Sequence, residues 1–128
     1  VKSTDPITLQ YCCLSPSRNE FCLPTREQID RHRIVLTTCM TSRDLGVPCG
    51  YFTHILIDEA AQMLECEALV PLSLASLRTL IVLAGDHMQK TPRLYSLHKD
   101  EQSADYTLLN RLFQHYKKEQ HEVATKSR

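Results

Sequence analysis

The sequence HILIDEAAQ occupies residues 54–62, and VLAGDHMQKTP occupies residues 82–92. Each begins as an apolar run and ends abruptly in acid, the first at Asp58 and Glu59 and the second at Asp86. The 28 positions between Asp58 and Asp86 leave room for one crossover between neighbouring parallel strands. Two acid-tipped strands with this spacing are typical of a nucleotide-hydrolysing α/β core that places carboxylates near a magnesium phosphate.

Composition narrows the class of protein. The chain has 128 residues, enough for one domain with its own core, and its 15 basic and 15 acidic residues cancel. Because there is no basic excess, any contact with nucleic acid must be local. No apolar run approaches the length of a membrane span, and no signal region precedes the first strand. We therefore expect an intracellular protein, nuclear or cytoplasmic, and both ends look cut from a longer chain.

The six cysteines lie at positions 12, 13, 22, 39, 49 and 66. None forms a C-x-x-C pair, and their spacing is irregular. Without a secretion signal, free thiols in a reducing cytosol or nucleus are favoured over disulfides. Because no Cys/His cluster has ligand spacing, no zinc site is expected in this segment.

The first 32 residues predict an irregular, hairpin-like excursion. Two short strands are expected over residues 7–14 and 20–23, separated by a turn. Thr25 and Gln28 have capping-box spacing, which predicts a short helix that ends near Arg31.

Residues 33–128 predict an α/β domain with a parallel sheet flanked by helices. Pro71 should kink or split the second helix of this region. Ligands bind at the carboxyl ends of parallel strands, so the polar residues that follow the strands should open on one edge of the sheet. The predicted strands cover residues 33–38, 51–57 and 80–84, and the predicted helices cover residues 39–45, 64–77 and 105–118.

The acidic residues suit phosphoryl transfer to water. Asp58, at the end of a rigid strand, would hold magnesium, and Glu59 would act as the base that polarises water. Gln62 and Gln89 offer neutral amides that can bond a phosphate oxygen or a water. An apolar strand that ends in acid is common, and it is the conjunction of both stretches that favours catalysis.

Four further residues are candidates for nucleic-acid contact. Thr37 and Thr38 end a predicted strand. Arg93 and Tyr95 follow the second acidic stretch, where they could contact phosphate and stack on a base. Each has an ordinary alternative: β-branched residues suit a buried strand end, and polar residues are usual in loops.

DEAAQ at residues 58–62 resembles motif II, the Walker B box, of the superfamily 1B helicases, and GDHMQKTP at residues 85–92 resembles their motif III. The flanking residues resemble the helicase-with-zinc-finger group, and the likeness extends over roughly residues 8–128. Lys90 departs from the pattern, in which an apolar residue follows the glutamine.

The resemblance implies part of the first RecA-like P-loop NTPase domain of an ATP-dependent RNA or DNA helicase, with motifs Ib/Ic, II and III in residues 33–128. It implies ATP and Mg²⁺ as cofactors, with Asp58 as the metal ligand, Glu59 as the base and Gln89 as the sensor of the γ-phosphate. It also implies that Thr37 and Thr38 contact single-stranded RNA or DNA, and that a second RecA-like domain completes the site.

No phosphate loop of the form G-x-x-x-x-G-K-[ST] is present, and the chain has three glycines in all. We therefore expect the isolated chain neither to hydrolyse ATP nor to unwind nucleic acid. The alternative is a non-catalytic helicase-like scaffold for RNA or protein partners, with residues 105–118 and the polar tail as the partner surface. A third reading, an unrelated phosphate-loop ATPase, is disfavoured by the pattern Gly-Asp-x-x-Gln-x-x-Pro.

Overall fold

The structure is a computed structural model that describes residues 5–15, 17, 20–86 and 107–126. Five α-helices, two strands and two short 3₁₀ helices lie in these residues. In chain order they are α1 (Pro6–Leu9), α2 (Arg26–Asp30), α3 (Cys39–Ser42), a 3₁₀ turn (Arg43–Leu45), β1 (His54–Ile57), a 3₁₀ turn (Ala60–Gln62), α4 (Glu65–Leu72), β2 (Leu80–Leu83) and α5 (Leu108–Lys126).

The two strands form the parallel sheet that the sequence predicts. β1 and β2 pair in parallel, with Ile55 opposite Ile81 and Ile57 opposite Leu83. The crossover between them contains α4, as expected for a β–α–β unit. The parallel α/β arrangement is therefore confirmed, as a small two-stranded parallel sheet with helices.

The core lies on one face of β1. Ile55 and Ile57 are buried, whereas Leu56 between them is 72% exposed on the opposite face. This alternation follows from the period of two along a strand. Leu109 of α5 and other half-buried apolar side chains pack against the buried residues. Helices therefore cover one side of the sheet, and the other side presents apolar side chains to solvent.

The helix predictions are largely confirmed. Thr25 and Gln28 form the reciprocal capping box, and α2 ends one residue before the predicted end. The helix over residues 39–45 is α3 followed by a 3₁₀ turn, closed by Gly46 in the left-handed conformation. α4 contains Pro71 but ends one residue later, so no second helical half follows the proline.

Two strand predictions are wrong. Residues 7–14 do not form a strand, because Pro6 begins a short helix at a position where its missing N–H costs nothing. The strand predicted over residues 20–23 is reduced to a single antiparallel bridge between Leu14 and Phe21. The hairpin-like excursion is present, but only as this one pair.

The buried strand predicted over residues 33–38 is also wrong. The segment has no strand pairing, and Ile34 and Leu36 are 78% and 92% exposed. A cavity of about 470 Å³ is lined by this segment and by β1. The β-branched composition of residues 33–38 favours extended backbone, but a strand forms only where a neighbour supplies ladder hydrogen bonds, and among the described residues β1 pairs with β2 alone.

Candidate functional site

The turn after β1 carries Asp58 and Glu59, the two acidic residues of the stretch that resembles motif II. The Oδ1 atom of Asp58 accepts a hydrogen bond from the backbone N–H of Glu59 at 2.9 Å. Glu59 has a φ of 55°, in the left-handed region, and among the described residues it is the one non-glycine with a positive φ. A left-handed conformation costs roughly 1–2 kcal/mol for an L-residue with a β-carbon. The left-handed conformation of Glu59 turns the chain sharply, directly after β1.

Gln62 fixes the orientation of the Glu59 carboxylate. The 3₁₀ turn Ala60–Gln62 brings the side chain of Gln62 back, so that Nε2 donates to Oε2 of Glu59 at 2.7 Å. Both residues are exposed. A neutral amide holds the carboxylate in place without adding a charge beside it.

Backbone hydrogen bonds join this turn to the end of β2. The N–H of Ala84 donates to the carbonyl of Ile57, and the N–H of Ala60 donates to the carbonyl of Ala84, both at 2.8 Å. Asp86 follows two residues after Ala84. The acidic ends of the two strands therefore lie at one edge of the sheet, as the sequence predicts.

Gly85 permits this close approach. A β-carbon at Gly85 would lie 2.9 Å from the backbone nitrogen of Ala61 and 3.1 Å from that of Ala60. It would also lie 3.2 Å from Cδ2 of Leu109 in α5. Gly85 thus lies directly against the turn after β1 and against α5, a contact that the sequence did not reveal.

Thr37 and Thr38 do not end a strand, contrary to the prediction. Thr38 is the N-cap of α3: its Oγ1 accepts the N–H of Thr41 at 3.2 Å and donates to Oγ1 of Thr41 at 2.8 Å. The Oγ1 of Thr37 donates to the carbonyl of Thr38. Both threonines line the cavity beside β1. A Ser or Thr directly before a predicted helix indicates an N-cap, so the sequence could have predicted this role for Thr38.

Several predicted site residues lie outside the described part of the chain. They are Gln89, the predicted γ-phosphate sensor, the predicted nucleic-acid contacts Arg93 and Tyr95, and Lys90.

An ion pair that the sequence did not predict joins α4 to α5. Arg111 donates from Nε to Oε2 of Glu65 at 2.9 Å and from Nη2 to Oε1 at 2.5 Å. This bidentate contact from Arg111 lowers the pKa of Glu65 below its usual value. The partners are 46 residues apart, so no helix-period pattern could have indicated the pair.

Hydrogen bonds to Asp30 join α2 to the segment before β1. The hydroxyl of Tyr51 donates to Oδ1 of Asp30 at 2.6 Å, and Nε of Arg26 donates to the same oxygen at 3.0 Å. These two donors, Tyr51 first, lower the pKa of Asp30. The guanidinium of Arg26 also lies over the ring of Tyr51, 4.2 Å from its centroid.

The donor chemistry at the strand ends fits a magnesium ion bound with a nucleotide. Mg²⁺ is usually held by one or two carboxylates, waters and phosphate oxygens rather than by a cage of protein ligands. Asp58 and Glu59 are adjacent, exposed carboxylates of this kind. Across the described residues no group of three or more His, Cys, Asp or Glu side chains is arranged to hold a metal.

The described helices include none that is both long enough and apolar enough to cross a membrane.

Comparison with known proteins identifies the family. The pattern of the AAA domain family matches residues 15–97, which include both acidic strand ends. The chain belongs to the AAA domain family, among the superfamily 1 helicases. No solved structure gives a significant match to it.

Curated relatives place this helicase segment with the helicase-with-zinc-finger group. The human 3'-5' exoribonuclease HELZ2 is 59% identical over 128 residues, all of this chain. The zebrafish probable helicase with zinc finger domain is 47% identical over 122 residues, 93% of the chain. The mouse RNA helicase Mov10l1 is 43% identical over 86 residues, 64% of the chain.

The helicase segment is a small part of these proteins. It spans 4% of the length of human HELZ2 and 7% of the lengths of the zebrafish and mouse relatives. The activities in their names belong to those whole proteins.

Proposed function

We propose that this chain is the hydrolytic part of an ATP-dependent RNA helicase motor. The observation that carries the proposal is the strained turn after β1. There Glu59 adopts a left-handed conformation and its carboxylate accepts a hydrogen bond from Gln62. Strained backbone that the surrounding structure holds in place is concentrated at functional sites, where it aims a side chain.

The proposed roles follow from the chemistry of each group. Asp58, which caps the N–H of Glu59 at the end of a rigid strand, would hold Mg²⁺. Glu59 would orient and deprotonate the attacking water, and Gln62 would hold the carboxylate in place. Bound ATP and Mg²⁺ would supply the phosphoryl group and the neutralising charge. Gln89 would sense the γ-phosphate.

RNA is the proposed polynucleotide, because relatives are named RNA helicases, among them mouse Mov10l1 and the fly probable RNA helicase armi. Thr37, Thr38, Arg93 and Tyr95 are the proposed contacts with the single strand. The N-cap role of Thr38 does not conflict with this, since its backbone can still contact phosphate.

The rest of the parent protein is proposed to complete the site. The sequence has no phosphate loop, and its sheet exposes apolar residues of both strands, with Leu56 72% and Leu80 60% exposed. Exposed apolar patches of this kind usually lie against other parts of a protein. We expect the purified 128-residue chain to show no ATP turnover, and measurable turnover would contradict this part of the proposal.

The test is RNA-stimulated ATP hydrolysis by the full-length parent, with Glu59→Gln as the variant. Gln preserves size and removes the base, so hydrolysis should be lost while ATP binding is retained. Glu27→Gln, an exposed change on α2, is the matched control for loss of one carboxylate. If the wild-type parent has no ATPase to lose, the chain acts as a helicase-like scaffold instead.

A further inference from the structure

Two thiols in the hairpin-like excursion face each other. The Sγ atoms of Cys13 and Cys22 lie 3.5 Å apart. The N–H of Cys22 donates to the carbonyl of Cys13 at 3.0 Å, and the adjacent residues Leu14 and Phe21 form the antiparallel bridge. In antiparallel pairing, the residues that flank a bridged pair are also opposite each other. Backbone pairing, and not side-chain conformation alone, brings the two thiols together.

The pairing geometry suits a disulfide. Directly opposite residues in a hydrogen-bonded position have Cα atoms about 5.5 Å apart. Disulfides span Cα separations of roughly 4.4–6.8 Å. Starting from 3.5 Å, the sulfur atoms need to approach by only about 1.5 Å to reach bonding distance.

We propose that Cys13 and Cys22 form a reversible dithiol–disulfide pair whose oxidant is a hydroperoxide. The thiolate of Cys22 attacks the peroxide and breaks its O–O bond, which gives a sulfenic acid on Cys22 and releases hydroxide or alkoxide. The thiol of Cys13 then attacks that sulfur and displaces water as the S–S bond forms. The two thiols together lose two electrons and two protons, which the peroxide takes up.

The two thiols differ in their exposure to solvent, and this difference assigns them different roles. Cys22 is exposed, so a peroxide can reach it, whereas Cys13 is half-buried. Burial, and then the neighbouring Cys22, raise the pKa of the Cys13 thiol. The more exposed Cys22 is therefore the thiol that meets the peroxide, and the less accessible Cys13 acts as the resolving thiol.

Oxidation would alter the start of α2. The S–H of Cys13 points at Oε1 of Gln28, 3.9 Å away, and this oxygen also accepts the N–H of Thr25 in the capping box. A disulfide removes the S–H donor and ties the two sides of the excursion together. The excursion and α2 are thus the elements whose stability the redox state would change.

The test uses the full-length protein treated with limiting hydrogen peroxide, blocked with N-ethylmaleimide and digested with trypsin without reduction. Trypsin cleaves after Lys2, Arg18 and Arg26, so the two cysteines separate into peptides 3–18 and 19–26. We expect these peptides to be recovered linked, at a mass two hydrogens below the sum of peptide 19–26 and peptide 3–18 carrying one N-ethylmaleimide on Cys12, and to separate on reduction with dithiothreitol.

Cys→Ser variants identify which two thiols form the disulfide. Cys13→Ser and Cys22→Ser should each abolish the linked peptide. Cys12→Ser should retain it, because the Sγ of Cys12 is directed to the carbonyl of Thr8. Cys66→Ser removes an exposed thiol on α4 and is the matched control. Recovery of Cys22 as its unlinked sulfinic acid, or a linked peptide that persists in Cys13→Ser, would overturn the proposal.

Discussion

Gly85 lies so close to Ala61 that a β-carbon on Gly85 would be 2.9 Å from the Ala61 backbone nitrogen. This approach places the end of β2 against the turn that carries the proposed magnesium ligand and base. The obstruction is backbone, which cannot move without shifting that turn. The spacing of the two acidic strand ends thus depends on the absence of a side chain at this position.

Gly85→Ala should therefore destabilise the domain, by about 1–3 kcal/mol, the usual cost of overpacking. Denaturant unfolding of the folded parent domain measures it. Leu109→Ala is the informative second change, since it relieves only the contact at 3.2 Å. The double variant should stay destabilised relative to Leu109→Ala alone, and full recovery would show that the backbone contact is not the cause.

The hydrogen bond from Gln62 to Glu59 predicts a graded effect on hydrolysis. Gln62→Ala removes the donor at 2.7 Å but leaves the carboxylate, so the rate should fall by less than in Glu59→Gln. The loss in Gln62→Ala should stay below the about 100-fold or more that loss of the base itself costs. Single-turnover ATP hydrolysis by the parent compares the two. An equal loss in both variants would contradict a purely orienting role for Gln62.

Thr38 has a structural role that can be separated from RNA contact. Thr38→Ala removes the N-cap of α3 and should cost about 1 kcal/mol in unfolding free energy. Thr38→Ser keeps the hydroxyl and should restore stability, and Thr37→Ala should have little effect on it. If Thr38→Ser restores stability but not RNA affinity, the threonine methyl group contributes to RNA binding beyond the cap.

The ion pair between Glu65 and Arg111 predicts a dependence of stability on pH. The pKa of Glu65 is lowered in the folded state from its ordinary 4.5, so its contribution is present above that value. The contribution is lost as pH falls through the lower, folded-state pKa. Glu65→Gln should lower the thermal midpoint at neutral pH, and the difference from wild type should shrink in acid.

Arg111→Gln provides the matched change on the other partner. Both single variants and the double variant should have similar thermal midpoints at neutral pH if the pair acts as a unit. Additive losses in the double variant would mean that each side chain stabilises the domain through other contacts.

Sequence reasoning located the acidic turn because its signal is local. Each apolar run that ends in acid predicts where a strand ends. The spacing of one crossover predicts that β1 and β2 are parallel, so that Asp58 lies at the edge where both strands end. The same reasoning failed at residues 33–38, since composition reports a preference for extended backbone but not the presence of a partner strand. It also missed the close approach of Gly85 to Ala61 and the ion pair between Glu65 and Arg111. Contacts between segments far apart in the sequence do not produce a periodic pattern.

The proposed function requires Glu59 to act as the base in ATP hydrolysis. The most direct measurement is the single-turnover rate of phosphate release by the RNA-bound, ATP-saturated full-length parent, for wild type and for Glu59→Gln. We expect the rate in Glu59→Gln to be ~100- to 10,000-fold lower than in wild type, with ATP affinity unchanged. Equal rates in the two proteins would contradict it.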